Sequence, residues 1–180
     1  MKALISGLSG QVGSLLADYL LSKNVEIYGM VRRVSHNGLE RIAHLLSHPQ
    51  LHLLNGDVTD QSSLDNIMRE VKPSFIFHLA AQSFVQTSWE QPELTANVTG
   101  LGTLRMLEAM RKFAPEAKFY NAASSEMWGK VRETPQNELT PFYPRSPYGV
   151  AKVFGFEITR NYRESYGLFA SSGILTNHES

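Results

Sequence analysis

Residues 2–13 read Lys-Ala-Leu-Ile-Ser-Gly-Leu-Ser-Gly-Gln-Val-Gly, a short apolar run that leads directly into glycines spaced G-x-x-G-x-x-G. Apolar residues at helical spacing follow, so the pattern is a strand, a glycine turn and a helix. Glycines placed in this way allow a tight turn and let backbone amides approach a pyrophosphate at the N-terminus of the helix. The pattern therefore predicts a loop that binds the phosphates of a dinucleotide, with contacts from Gly7, Ser9, Gly10, Gln11, Val12 and Gly13.

Beyond this loop, strand and helix patterns alternate along the whole chain. Strand-like apolar runs occur at 25–31, 51–54, 74–81, 117–121 and 169–175, and helical spacing occurs between them. Alternation of this kind predicts a parallel sheet that is covered by helices on both faces. We therefore predict an α/β fold with a doubly wound parallel sheet of the Rossmann type, forming one domain over residues 1–180.

The composition narrows the class of partner. The chain has 17 basic and 17 acidic side chains, no cysteine, and no apolar run near the ~20 residues that a membrane helix needs. Balanced charge argues against nucleic acid, and the N-terminus reaches Gly7 too soon for the apolar core of a signal peptide. We expect a cytoplasmic protein with small-molecule or protein partners. His44 and His48 have no third ligand at metal spacing, so no metal is predicted.

The end of the second predicted strand indicates which dinucleotide binds. At this place, about 20 residues beyond the glycine loop, an NAD-preferring domain carries an acidic residue for the ribose hydroxyls. This chain has Arg32 and Arg33 instead. Because arginine can bind a 2′-phosphate through two hydrogen bonds, NADP is predicted over NAD; the alternative is a pair of solvated surface arginines.

Two further strand ends carry candidates for cofactor contacts. Asp57 and Val58 follow the third strand, where the sequence leaves open an adenine contact and, for Asp57, a cap of the next helix. The fourth strand ends in small residues at the edge where open α/β sheets bind ligands. We expect cofactor contacts there from Leu79, Ala80, Ala81 and Ser83.

Catalytic candidates lie after the fifth strand, in the segment 122–147 and the helix that follows it. Tyr148 and Lys152 are four residues apart, so on a helix they face the same way, and the ammonium group is expected to lower the pKa of the phenol. Pro147 suits the first turn of that helix, whose dipoles also favour an anion. With Ser124 upstream, the pair predicts proton removal from an alcohol as hydride leaves the same carbon. Asn97 is either exposed or placed behind the lysine.

These features resemble the extended short-chain dehydrogenase/reductase family, and within it the GDP-mannose 4,6-dehydratase branch. The resemblance covers all 180 residues and is carried by the glycine loop, the Tyr148-x-x-x-Lys152 pair and the segments 31–33, 79–83, 124–126, 142–149 and 177–180. Two positions depart from the family's pattern. Threonine is frequent where this chain has Ser124, and a smaller aromatic residue is usual where it has Trp128.

The resemblance implies a lyase rather than a simple oxidoreductase. It implies that GDP-mannose loses hydride at C4, undergoes elimination across C5–C6 and regains hydride at C6, giving GDP-4-keto-6-deoxymannose. Glu126 would take the proton beside the new ketone and protonate the departing hydroxyl. The implied catalytic residues are Ser124, Glu126, Tyr148 and Lys152, and the implied substrate contacts are Ser83, Ser124, Glu126, Tyr148, Asn177 and Glu179.

Three hypotheses stay open on the sequence alone. A 4-keto-sugar reductase or epimerase of the same family would use Ser124, Tyr148 and Lys152 without the elimination. Family members are nearly twice as long, so the chain is also expected to be an NAD(P)-binding domain that ends before a C-terminal substrate lobe. A non-catalytic NADP-binding fragment is therefore the third hypothesis. The family implies a homodimer or homotetramer, with residues 32–38 as a candidate contact.

Overall fold

The computed structural model of this protein describes residues 1–33 and 38–178. Within them, parallel strands form one sheet in the order β3-β2-β1-β4-β5-β6. The order steps outward from β1 in both directions, which confirms the predicted doubly wound fold of the Rossmann type. The strands are β1 (Lys2–Ser6), β2 (Glu26–Val31), β3 (Leu51–Asn55), β4 (Phe75–His78), β5 (Lys118–Ser124) and β6 (Ala170–Leu175).

Helices connect the strands and cover both faces of the sheet. The α-helices are α1 (Gln11–Ser22), α2 (Gln61–Val71), α3 (Val85–Glu90), α4 (Pro92–Thr95), α5 (Gly102–Phe113) and α6 (Pro147–Tyr166). Two 3₁₀ helices span Glu40–Leu45 and Ser125–Met127, and a π-helix spans Ala96–Leu101. No helix in the described ranges is both long and apolar enough to cross a membrane.

The central strand β1 shows why the sheet is buried on both faces. Its consecutive residues Leu4 and Ile5 are almost fully buried but belong to different cores, because successive side chains of a strand point to opposite faces. Leu4 packs in the core that includes α2 and α5. Ile5 packs in the core that includes α1 and the first 3₁₀ helix. An apolar residue at both positions is therefore what this fold requires.

The structure differs from the predicted element bounds at four places. The helix expected over 93–113 is interrupted by the π-helix, and the helical spacing around residues 39–46 forms a 3₁₀ helix rather than an α-helix. Strand β4 ends at His78, three residues before the apolar run ends, because the chain turns there beside Gly7. Strand β5 continues to Ser124, since Ala122–Ser124 pair with Gly173–Leu175 of β6.

Candidate active site

The predicted site residues gather at the carboxyl edge of the sheet, where β1 and β4 lie side by side. Ser6 ends β1 and His78 ends β4, and the two are partners in the strand register. Helices that follow neighbouring strands leave this edge on opposite sides of the sheet, which opens a crevice between them. The glycine loop borders that crevice on one side, and the turn after β4 borders it on the other.

The glycine loop is packed so closely that side chains would not fit at two of its positions. Gly7 has a φ of +76°, and a Cβ there would lie 2.8 Å from the backbone nitrogen of Ala80. A Cβ on Gly13 would lie 2.3 Å from the carbonyl oxygen of Gly7. The N-cap of α1 is Gly10, whose lack of a side chain leaves the first turn of the helix without a side-chain cap. A tight loop that ends in an uncapped helix N-terminus favours an anion.

Two adjoining cavities run along the crevice on either side of this loop. One has a volume of about 560 Å³ and the other about 350 Å³. Both are lined by Gly7, Gly10, Leu79, Ala81 and Ser83, so together they form one elongated groove. The predicted cofactor residues that line one or both cavities are Gly7, Ser9, Gly10, Gln11, Val12, Gly13, Arg32, Asp57, Val58, Leu79, Ala80, Ala81, Ser83, Tyr148 and Lys152.

The larger of the two cavities begins at the ends of β2 and β3. Arg32 lines it and is exposed, whereas Arg33 is exposed without lining it. Asp57 was predicted either to contact the adenine or to cap the next helix. The cap of α2 is Asp60, which accepts from the Ser62 amide at 2.9 Å. Asp57 instead accepts from the amide and hydroxyl of Thr59, at 2.8 and 2.7 Å, and also lines the cavity.

The smaller cavity contains the tyrosine and lysine pair. Tyr148 and Lys152 are each 8% exposed, and the ammonium group of the lysine lies 5.6 Å from the centre of the phenol ring. That ammonium donates a hydrogen bond to the Ala122 carbonyl oxygen at 2.5 Å. Burial lowers the pKa of Lys152 from 10.5 to about 8. The two side chains therefore face the same pocket, as their spacing predicts.

The expected lowering of the Tyr148 pKa is not what the structure gives. Burial raises the pKa of the phenol above its usual value; a hydrogen bond with Ser124 lowers it, and the nearby charge of Glu126 raises it again. The physical reason is that the phenol is largely removed from water, while the hydrogen bond from Lys152 goes to the Ala122 carbonyl. The geometry of the pair was predictable, but the balance of burial against charge was not.

Ser124 and Glu126 lie on the tight turn that follows β5. Ser124 caps the short 3₁₀ helix, because its hydroxyl oxygen accepts from the Glu126 amide at 3.2 Å. The first turn of α6 packs directly on this turn, since a Cβ on Gly149 would lie 2.7 Å from the Glu126 carbonyl oxygen. Ser146 holds the start of α6 by accepting from the Gly149 amide at 3.0 Å. The carboxylate of Glu126 is exposed beside the pocket and does not line it.

The turn after β4 is held by threonines from the interrupted helix. The Thr99 hydroxyl lies 3.1 Å from the Gln82 amide and 3.2 Å from its carbonyl oxygen, and the Thr95 hydroxyl donates to the Gln82 side chain at 3.1 Å. Asn97 in the same segment is half-buried rather than exposed, and its side-chain oxygen accepts from Arg105 at 2.8 Å. π-turns are frequent at functional sites, but an apolar pattern does not reveal them.

The groove also contains residues that sequence reasoning missed. The end beside Tyr148 is also lined by Ala122, Ala123, Leu175, Thr176 and His178. The rule that ligands bind at strand carboxyl ends would have found Leu175 and Thr176 after β6, and also Ala122 and Ala123 had the end of β5 been placed correctly. Asn177, a predicted substrate contact, lines this pocket too. Glu179 and most of the segment 32–38 lie outside the described residues.

A larger cavity, of about 800 Å³, lies along α6 and begins at its first turn, beside Ser146 and Pro147. Apolar side chains line most of it, including Trp89, Leu101, Val150 and Phe154, and it contains none of the predicted catalytic residues. No group of three potential metal ligands occurs in the part of the chain that the structure describes. His44 pairs with Asp18 at 2.9 Å instead of with His48. The predicted catalytic residues that line a cavity, Ser124, Tyr148 and Lys152, therefore lie in the groove at the sheet edge.

Known proteins match the chain along almost its whole length. A family model described as GDP-mannose 4,6 dehydratase matches residues 4–180. A GDP-mannose 4,6-dehydratase of Vibrio cholerae is 52% identical over 186 residues, covering 99% of this chain and 50% of that protein. The GDP-mannose 4,6 dehydratase of Homo sapiens is 50% identical over 186 residues, with the same two coverages. The chain thus spans about half the length of the curated relatives it matches.

Solved structures agree on the fold. The UDP-glucose 4-epimerase of Thermus thermophilus, solved in complex with NAD, has a TM-score of 0.81 and 29% identity, covering 93% of this chain and 52% of its own. A UDP-Glc/GlcNAc 4-epimerase from Campylobacter jejuni has a TM-score of 0.87, covering 97% of this chain and 52% of its own. Its identity is 22%, so that likeness concerns the fold alone.

Proposed function

The chain belongs to the GDP-mannose 4,6-dehydratase family, and on that premise we propose that it is the NADP-binding half of an enzyme that dehydrates GDP-mannose to GDP-4-keto-6-deoxymannose. The observation that carries the proposal is the shared pocket. Ser124, Tyr148 and Lys152 line the same cavity as the glycine loop, which brings an acid-base group to the end of a dinucleotide groove. Glu126 stands beside it on the turn that carries Ser124.

The shape and charge of the groove support NADP as the cofactor. A side chain at Gly7 would collide with the backbone of the turn after β4, and one at Gly13 with the loop's own backbone, as is typical where a loop wraps phosphates. Arg32 lines the end of the groove beside β2, where a 2′-phosphate would lie, and Arg33 adjoins it. When bound, NADP supplies the hydride chemistry, accepting hydride from C4 of the sugar and returning it to C6.

The buried pair and the serine serve the first half of the reaction. Tyr148 takes the proton of the C4 hydroxyl as the C4–H bond breaks, and Ser124 donates a hydrogen bond to the resulting carbonyl oxygen. In the protein as described, burial keeps the pKa of Tyr148 above its usual value, so the phenol is protonated at neutral pH. The phenol therefore needs a nearby positive charge to act as a base, and the ammonium group of Lys152, which lines the same pocket, supplies it.

Glu126 serves the elimination. A ketone at C4 acidifies the C5 proton, and a carboxylate can remove it and then pass a proton to the C6 hydroxyl, which leaves as water. The C5–H and C6–O bonds break, a C5–C6 double bond forms, and one water departs. The hydride that returns to C6 and a proton at C5 restore the saturated chain. A 4-keto-sugar reductase or epimerase would have no use for this carboxylate, so Glu126 favours the dehydratase.

We expect the chain to bind NADP at least about 10-fold more tightly than NAD, since a charge-assisted hydrogen bond contributes roughly 1.5–3 kcal/mol. Replacing both Arg32 and Arg33 by serine should remove that preference and leave the NAD affinity unchanged. Isothermal titration of the 180-residue chain with each cofactor measures it. Arg160→Ser, which removes an exposed arginine paired with Glu157, is the matched control. Equal affinities for the two cofactors in the unmodified chain would contradict the NADP assignment.

We expect GDP-mannose to be bound and dehydrated only by a protein of the relatives' full length. The 180-residue chain should bind NADP alone, because it contributes only the sheet-edge side of the substrate pocket, ending near Asn177. Titration with GDP-mannose, followed by mass spectrometry for the loss of water, tests both statements. Turnover by the 180 residues would overturn the fragment hypothesis. NADPH consumption by a 4-keto sugar, without dehydration of GDP-mannose, would favour the reductase instead.

A cytoplasmic location and assembly into two or four copies also belong to this proposal. The lack of cysteine is compatible with a reducing compartment, and the assembly rests on the resemblance to the family. Light-scattering mass of the full-length protein measures the number of copies.

A further inference from the structure

A buried serine and a buried histidine are joined beneath the groove. Ser6 at the end of β1 is 0% exposed, and His78 at the end of β4 is 2% exposed. The Ser6 hydroxyl oxygen lies 2.8 Å from Nδ1 of His78. The same oxygen accepts from the backbone amides of Leu79 and Ala80, at 3.2 and 3.3 Å. One hydroxyl therefore links the histidine to the turn that leaves β4.

The direction of these hydrogen bonds follows from counting donors. The Ala80 amide donates to the Ser6 hydroxyl oxygen, and the Leu79 amide shares its proton between that oxygen and the Ser6 backbone carbonyl oxygen at 3.1 Å, so both lone pairs of the hydroxyl face donors. The hydroxyl proton of Ser6 then needs an acceptor, and Nδ1 of His78 is the partner at hydrogen-bond distance. Nδ1 must therefore carry no proton, and the neutral imidazole holds its proton on Nε2. Burial, and to a lesser extent the charge of Lys152, lowers the pKa of His78 to about 3, which agrees with a neutral ring.

Packing alone does not explain a histidine at this position. Nε2 of His78 is buried and has no hydrogen-bond partner among the described residues, an arrangement that is unfavourable for a donor. The ring lies against Phe119, with centroids 6.0 Å apart, where a phenylalanine would pack without a stranded donor. What a phenylalanine could not supply is the acceptor for the Ser6 proton.

The turn held by Ser6 is part of the dinucleotide groove. Leu79 and Ala80 line it, and the Ala80 nitrogen lies 2.8 Å from where a Cβ on Gly7 would be. The spacing between the turn after β4 and the glycine loop thus depends on where the Leu79 and Ala80 amides are held. We propose that His78 is a positioning residue of the dinucleotide site, acting through Ser6 to fix the Leu79–Ala80 backbone against Gly7. The proposal rests on the function proposed above.

The tautomer gives the first test, which needs no cofactor. In the chain labelled with ¹⁵N-histidine, the His78 signals at pH 7 should show a proton on Nε2 and a bare, hydrogen-bonded Nδ1; loss of these signals in His78→Phe assigns them. Amide exchange at Leu79 and Ala80 should become faster in both His78→Phe and Ser6→Ala. A proton on Nδ1, or unchanged exchange at both amides, would overturn the proposal.

Cofactor affinity gives the second test, by a double-mutant cycle in NADP titrations. His78→Phe and Ser6→Ala should each weaken NADP binding about 10-fold or more, and the double variant should be no weaker than Ser6→Ala, because His78 acts only through the Ser6 hydroxyl. His78→Asn, whose amide oxygen can accept from Ser6, should retain affinity within about 3-fold.

The control is Thr159→Val, which removes another buried hydroxyl, bonded to the Gly155 carbonyl far along α6. It should lower thermal stability without changing NADP affinity. Losses of NADP affinity that add up in the Ser6 and His78 double variant, or an equal loss of affinity in Thr159→Val, would show that His78 has only a structural role. Absence of NADP binding in the unmodified chain would instead overturn the proposed function, and the tautomer and exchange measurements would still decide the role of His78.

Discussion

Glu126→Gln is expected to lower the rate of dehydration about 1,000-fold in the full-length protein, which is the scale of a lost general acid-base group. Glutamine keeps the size of the side chain but can neither take the C5 proton nor donate one to the leaving hydroxyl. The step at C4 should survive, because Ser124, Tyr148 and Lys152 are unchanged. Substrate deuterated at C4 should therefore still lose label slowly to NADP, while no dehydrated product appears by mass spectrometry.

The same substitution should shift the pH dependence of the C4 step. The charge of Glu126 raises the pKa of Tyr148, so removing that charge should lower the pKa of the phenol and move the rise of the label-loss rate to lower pH. Glu138→Gln, which neutralises another exposed carboxylate of the segment 122–147, is the matched control and should change neither rate. Unchanged turnover in Glu126→Gln would remove this residue from the mechanism.

The fold could be predicted from the sequence because the strands are recognisable from their apolar pattern. A run such as Leu4 and Ile5, apolar at consecutive positions, belongs to a strand covered on both faces, and the glycine loop fixes which strand is central. The convergence of Ser9, Arg32 and Tyr148 on one edge follows from parallel strands alone, since all their carboxyl ends meet there.

The parts that sequence reasoning missed depend on contacts between distant residues. The role of His78 appears only when Ser6, 72 positions away, is seen beside its Nδ1. The hydrogen bonds to Gln82 depend on the π-turn, because it places the hydroxyls of Thr95 and Thr99 beside this residue. The pKa of Tyr148 depends on how much water the phenol loses, and spacing along a helix carries no information about that.

Lys152→Met is expected to stabilise the 180-residue chain at pH 7. Lowering the pKa of this lysine from 10.5 to about 8 corresponds to an unfavourable contribution of about 3 kcal/mol to the free energy of folding. The variant loses the charge-assisted hydrogen bond to the Ala122 carbonyl, roughly 1.5–3 kcal/mol, so a net gain of up to about 1.5 kcal/mol remains. In a domain of this size the melting temperature should rise by up to ~6 °C, measured by thermal unfolding.

The gain in stability of Lys152→Met should disappear as the pH rises, which would identify the buried charge of Lys152 as its source. Between pH 8 and 10.5 the unfolded chain still binds the lysine proton while the folded chain has released it, so the unmodified chain becomes more stable as pH rises through this window. The variant lacks that dependence, and the two stabilities should approach each other near pH 10.

Lys130→Met, at an exposed lysine, should show neither effect. A variant less stable than the unmodified chain at both pH values would contradict the destabilising role of Lys152. If the gain is observed while turnover of the full-length protein falls at least ~100-fold, the lysine is retained for its charge beside Tyr148 and at the expense of stability.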